Sequence, residues 1–270
     1  MDNDQKENIR KQVSDHYARV AEQGANVCRG VRGDCCGQSS IEISDSDLAL
    51  GIGYTARQIG QVPDEANLGL GCGNPLVIAG IREGETVLDL GCGAGLDSLL
   101  AARQVGEKGR VIGVDLTEEM IKKARENARF SGCKNVDFRF GEIERLPIPD
   151  NSIDVIISNC VINLSPDKGR VFAEAFRVLK PGGRLGIFDV VATAPLPDEI
   201  KKDLSAYVGC IAGAVPLDEL KDIMNSAGFE RIQIDLKEKS REFIREWMPG
   251  KGAEKYVVSA AITGVKPLST

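Results

Sequence analysis

A chain of 270 residues with 42% hydrophobic side chains can bury a substantial core, as one elaborated domain or as two. Its net charge of -6, with basic residues scattered among acidic ones, argues against nucleic acid as a partner, since a phosphate backbone calls for a clustered basic face. One histidine, His16, beside eight cysteines disfavours histidine-rich metal sites and a histidine triad, which need more imidazoles than this chain has.

The first residues, MDNDQKENIRKQVSDHYARV, mix charges and do not read as a secretory signal, and no run of about 18 apolar residues follows. A cytoplasmic protein with no membrane partner is therefore expected, its cysteines mostly reduced thiols that bind, catalyse or pack. Residues 1–65 read as a helical and loop segment that contains the thiol-rich stretch CRGVRGDCCGQSS, with Cys28, Cys35 and Cys36. These three lack a C-x-x-C pair, which disfavours a structural zinc there.

From residue 66 to 194 strands and helices alternate. ETVLDL, short and apolar before a glycine cluster, predicts a buried strand; GLDSLLAARQVG predicts a helix ending at Gly106. Strand GRVIGVDL, helix TEEMIKKARENARFSG and strand NVDFRF follow, then strand SIDVIISN, helix KGRVFAEAFRVLKPGG and strand RLGIFDVV. This alternation predicts an α/β fold with a doubly wound, mostly parallel sheet. Residues 195–228 carry two further helical stretches, IKKDLSAYVGCIAGAV and LDELKDIMNSAG, expected as an inserted cap. Residues 229–270 end the chain with two strands, FERIQIDLKE and KYVVSAAITGV, expected as a terminal hairpin with no crossover helix.

The loop LDLGCGAGLD holds the clearest chemistry. Gly91, Gly93 and Gly95, around Cys92, allow a sharp turn and close approach to a ligand at the carboxyl end of the first strand. Leu96 stands where a dinucleotide fingerprint has its third glycine, which disfavours NAD. Asp89 before the loop suits a ligand with an ammonium and a sulfonium, such as S-adenosylmethionine, better than a pyrophosphate. Asp115, followed by Leu116, ends the second strand where a carboxylate can accept ribose hydroxyls, and Glu142 with Ile143 follows the third strand, within reach of an adenine edge. Over about residues 70–265 the chain resembles the class I S-adenosylmethionine methyltransferases. That resemblance implies a seven-stranded Rossmann-like sheet with an antiparallel last strand.

The thiols address the acceptor. Cys72 precedes the first strand, Cys160 follows Asn159 at the end of the fourth, and Cys210 lies in the expected cap, so all three can converge above the carboxyl edge. Three thiolates without histidine select soft ions, and no fourth ligand for tetrahedral zinc is evident. Cys92 and Cys133 read as packing residues. The stretches GYTARQIGQVPDEANLGLGCGNP, VLDLGCGAGLDSLLAARQVG, DVIISNCVINLSPDK and GCIAGA are similar to motifs of the arsenite S-adenosylmethionine methyltransferases, from about residue 51 to the cap. The resemblance implies that Cys72, Cys160 and Cys210 hold trivalent arsenic, and that Cys36 or Cys35 joins Cys72 in redox cycling driven by a thiol reductant such as thioredoxin or glutathione. Longer relatives carry a further C-terminal region, and some have an acidic residue where this chain has Gly209. Two alternatives make other predictions. A methyltransferase for a small organic or lipid acceptor would have an apolar pocket and dispensable cysteines; a thiol-based metalloid sensor would bind arsenite without releasing S-adenosylhomocysteine.

Overall fold

The structure, a computed structural model, describes residues 2–23 and 44–268; Cys28, Cys35 and Cys36 lie outside them. Among the described residues, four α-helices precede the first strand: α1 (Asn3–Gln23), α2 (Asp45–Gly51), α3 (Ala56–Ile59) and α4 (Pro75–Ala79). Ser44 and Thr55 cap α2 and α3 with reciprocal side-chain bonds to Asp47 and Gln58, which satisfies amide groups that such short helices leave open.

The expected alternation follows as β1 (Thr86–Leu90), α5 (Leu96–Val105), β2 (Arg110–Asp115), α6 (Glu118–Phe130), β3 (Val136–Phe140), β4 (Ile153–Asn159), α7 (Lys168–Val178) and β5 (Leu179–Ala192). Helix α7 stops earlier than its sequence pattern suggested, and residues 179–183 belong to β5. Pro181 explains this, because a proline ring drives the preceding residue out of helical geometry. The chain continues through α8 (Asp198–Lys201), α9 (Leu204–Val208), α10 (Leu217–Ser226), β6 (Glu230–Lys237), α11 (Ser240–Trp247) and β7 (Val257–Val265).

The seven strands run β3-β2-β1-β4-β5-β7-β6, with β1 to β5 parallel and β7 antiparallel to both β5 and β6. The terminal antiparallel pair is as expected, but its connection carries α11, an eight-residue helix that the sequence reading did not anticipate. Its Ile244 is buried with Met248 and Val257 against the end of the sheet.

Strand alternation sorts the core into two layers. Leu88, Leu90, Ile156 and Leu185 face α7 and α10, while Val87, Val111, Val155 and Ile157 face α4, α5 and α6. Helix α10 belongs to the first layer, since Leu220 and Met224 are buried beside Phe172 of α7. It is thus a face helix, a correction to its expected place in the cap. The other expected cap helix is broken into α8 and α9, and residues 209–214 are irregular; Cys210, with φ of +63°, interrupts helical geometry at the position its thiol needs. Among the described residues, no helix is long and apolar enough to cross a membrane.

Candidate active site at the carboxyl edge of the sheet

Strand order reverses between β1 and β4, and in open sheets of this kind ligands bind at such a switch point. The loop after β1 and the turn after β4 meet there. A Cβ on Gly91 would lie 2.4 Å from Val161 Cγ2, so the glycine lets the turn that carries Cys160 approach the loop. Gly91, Gly93 and Gly95 have φ of +68°, +50° and +98°, and nothing lies within 4 Å of a Cβ built on Gly93, which leaves open space beside the loop there.

Three carboxylates surround this loop. Asp89 shares a face of β1 with Val87, towards α5, and accepts a 2.6 Å bond from Ser98 Oγ. Asp115 accepts bonds from the Gly93 and Thr117 amides, both at 2.9 Å. Asp97, which the sequence reading did not single out, accepts from Tyr54 Oη at 2.6 Å. Burial pushes all three carboxyls above their ordinary range, Asp89 most strongly, with Asp97 and Asp115 adding repulsion there. None makes an ion pair among the described residues. A group of buried carboxylates without a cation, around a glycine loop, fits a ligand that brings its own positive charge; S-adenosylmethionine, with its sulfonium and ammonium, does so. Glu142 is half-exposed 3.8 Å from Arg10 of α1, and Ile143 is buried. Leu116 lies between Asp115 and the capping residue of α6, Thr117. Cys92 is buried among the core residues behind the loop.

Asn159 is the junction between this half and the thiols. Alternation along β4 points it to the same side as Val155 and Ile157. Its Oδ1 accepts the Cys72 amide at 3.0 Å; its Nδ2 donates to Gly73 O at 2.7 Å and lies 3.0 Å from Tyr54 Oη and 3.3 Å from Asp97 Oδ2. A Cβ on Gly73 would overlap the Phe188 ring at 1.9 Å, so the segment bearing Cys72 is pressed onto β5.

The structure places Cys72, Cys160 and Cys210 near one another at this edge. Cys72 and Cys160 interact side chain to side chain, as do Cys160 and Cys210, and Cys210 Sγ lies 2.7 Å from Cys160 O. Cys160 and Cys210 both adopt left-handed backbone, φ of +59° and +63°, which costs a non-glycine residue about 1–2 kcal/mol. Burial lifts the Cys72 thiol well above its usual range, aided by its bond to Cys160 and the nearby Asp189. Its bond with Cys210 does the same for Cys160. For Cys210 the bond with Cys160 pulls downward, but burial and Asp189 outweigh it. These are protonated thiols until an ion displaces their protons.

Asp189, missed in the sequence, completes this half. It shares a strand face with Ile187 and Val191, and its Oδ1 accepts from Asn163 Nδ2 at 2.9 Å and from the Val190 amide at 2.7 Å. A carboxylate within the apolar run IFDVV was the signal that could have found it. Helix α1 spans both halves: Val20 and Ala21 pack with Ala94 of the glycine loop and Met120 of α6, while Tyr17 Oη donates to Val208 O at 3.0 Å.

A family model described as a methyltransferase domain matches residues 81–228. An arsenite methyltransferase of Halobacterium salinarum is 49% identical over 97% of this chain and 67% of its own length. One from Homo sapiens is 40% identical over 59% of this chain, covering 44% of its own length. This chain therefore spans from under half to two thirds of those relatives. Among solved structures, CrArsM, an arsenic (III) S-adenosylmethionine methyltransferase from Chlamydomonas reinhardtii, superposes with a TM-score of 0.60 at 34% identity, covering 83% of this chain and 73% of that one. With this fold and these similarities, the chain belongs to the arsenite methyltransferase family of the class I methyltransferases.

Proposed function

We propose that this protein transfers a methyl group from S-adenosylmethionine to trivalent arsenic held by Cys72, Cys160 and Cys210, a detoxifying reaction carried out in the cytoplasm. The observation that supports it most is the meeting of three thiols at the switch point, two of them on strained backbone, next to a glycine loop lined by unpaired buried carboxylates. Strain of this kind at a ligand site is kept because it positions side chains.

When bound, the cofactor supplies a methyl group on a cationic sulfur. The glycine loop, Asp89, Asp97 and Asp115 would hold and neutralise it, with Glu142 and Ile143 towards its base, and α1 would exclude water from above. Each thiol gives its proton to a hydroxyl of arsenite, which leaves as water as a sulfur–arsenic bond forms. Trivalent arsenic on three sulfurs is pyramidal, so its lone pair points away from them and towards the methyl group. Asn159, bonded to the Cys72 amide and to Asp97, fixes the distance between the two halves, so that catalysis is mainly positioning.

Donation of the lone pair to the methyl carbon, as its bond to sulfur breaks and S-adenosylhomocysteine leaves as a neutral thioether, would leave arsenic formally pentavalent. Two thiols return it to the trivalent state by forming a disulfide, for which Cys36 or Cys35 would pair with Cys72. A reductant such as thioredoxin or glutathione then restores the dithiol.

The test is arsenic speciation by chromatography coupled to mass spectrometry after incubation with arsenite, S-adenosylmethionine and a thiol reductant. Methylated arsenic is expected only with all components present. Its absence from folded, cofactor-binding protein would overturn the proposal and point to an organic acceptor.

A further inference from the structure

The sequence offered no fourth ligand for a tetrahedral metal, but the fold supplies one. Ligand atoms of Cys160, Cys210 and Asp189 all lie within 4.8 Å of one another. Ligands of a tetrahedral zinc sit about 2.0–2.3 Å from the metal and hence roughly 3.3–3.8 Å apart, a gap that small side-chain rotations close. Cys72 stands outside that group of three but interacts with Cys160.

We propose that Cys160, Cys210 and Asp189, with Cys72 as the fourth ligand, form a site for a thiophilic divalent cation such as zinc, and that its occupancy shuts out arsenite.

Three features support a site built for coordination. Asp189 is buried and oriented: Oδ1 carries the two short bonds described above, whereas Oδ2 receives a 3.3 Å contact from the Asn163 amide. Asn163 ties this carboxylate to the thiol loop, since its Nδ2 also donates to Val190 O at 2.6 Å and Cys210 O at 3.3 Å, the outer support that metal ligands commonly have. Lys168 is near enough to interact with both Asp189 and Cys210, which tempers the negative charge that three thiolates and a carboxylate would leave around a divalent ion. Half-buried Cys160 provides the way in.

The two ions use the cluster differently. Trivalent arsenic needs three sulfurs and no carboxylate; a divalent cation of this class takes four donors, Asp189 included. A closed-shell divalent cation has no lone pair to give a methyl group, so the loaded site would be catalytically inert. The cation site stands on its ligand set alone; its inhibitory consequence rests on the proposed arsenite function.

Full-length protein, reduced with a phosphine under anaerobic conditions, would be titrated with Co2+ and then Zn2+. We expect one equivalent of Co2+ to give thiolate charge-transfer absorption and tetrahedral visible bands, both removed by Zn2+. Asp189→Asn should lower Zn2+ affinity at least tenfold, roughly the least that losing even an outer support of a metal site costs, and lower arsenite affinity by less. Because Asp189 is buried, Cys210→Ser is a second variant, expected to lose much of the charge-transfer intensity. Wild-type protein showing only octahedral Co2+, or Zn2+ affinity untouched by either folded variant, would overturn the proposal. If arsenite binds the Zn2+-loaded protein as tightly as the metal-free protein, while both variants weaken the Zn2+ site, the cation site is upheld and the arsenite reading of these thiols falls.

Discussion

The two halves of the carboxyl edge reach close backbone packing by opposite means. After β1, left-handed geometry falls on Gly91, Gly93 and Gly95, where it costs little; across the edge it falls on Cys160 and Cys210, where it costs a side chain's worth of steric strain. The difference follows from which atoms do the chemistry. In the glycine half the loop must pack close, and a side chain on Gly91 or Gly95 would meet Val161 or Phe138, whereas in the thiol half the sulfur is the proposed functional atom and glycine is no substitute.

The comparison breaks most visibly at the thiols. Cys160→Ser or Cys210→Ser keeps size and backbone but removes a soft ligand, so arsenite binding should be abolished while S-adenosylmethionine binding persists, as equilibrium dialysis against each would show. Next in size, Gly91→Ala puts a methyl group against Val161 at a φ of +68°. It should cost about 2–4 kcal/mol in chemical denaturation and weaken cofactor binding.

Asn159→Ala, which removes the junction, should destabilise by about 1–3 kcal/mol, since it leaves buried partners unpaired. It should also lower the methylation rate more than either half's affinity, by loosening the distance between them. Tyr54→Phe removes one hydroxyl from the same network and should cost only about 1 kcal/mol.

A pH scan sharpens the contrast further. Burial raises Asp89 above its ordinary value of 3.8, so the folded protein holds a proton that the unfolded chain releases. This contribution is fully present below the ordinary carboxylate range and is lost as pH rises through the elevated folded value. Thermal stability of ligand-free protein should therefore decline across that interval. A cationic cofactor should lessen the decline and release protons as it binds, which calorimetry in buffers of different ionisation enthalpy would detect; Asp89→Asn should reduce that release.

Much of this edge was legible in the chain. The alternating strands, the glycine loop and the place of Cys160 follow from strand ends and spacing, because a parallel sheet delivers all its carboxyl termini to one side, whereas grouping Cys72 and Cys210 with Cys160 was implied by the family resemblance. Asp97, Asn163 and Asp189 were not, since their roles depend on which face of a strand or turn meets which distant segment; Asn163 and Asp189 are 26 residues apart. Helix α11 was missed because a short amphipathic stretch between two strands resembles a loop, and α10 was misplaced because a helical pattern does not say which surface it covers.

The most direct test of the central claim is arsenic X-ray absorption of the reduced protein with one equivalent of arsenite. Three sulfur neighbours and no oxygen are expected in the wild-type protein, and only unbound arsenite in Cys160→Ser. A spectrum dominated by oxygen in the wild-type protein, or three sulfurs retained in that variant, would contradict it.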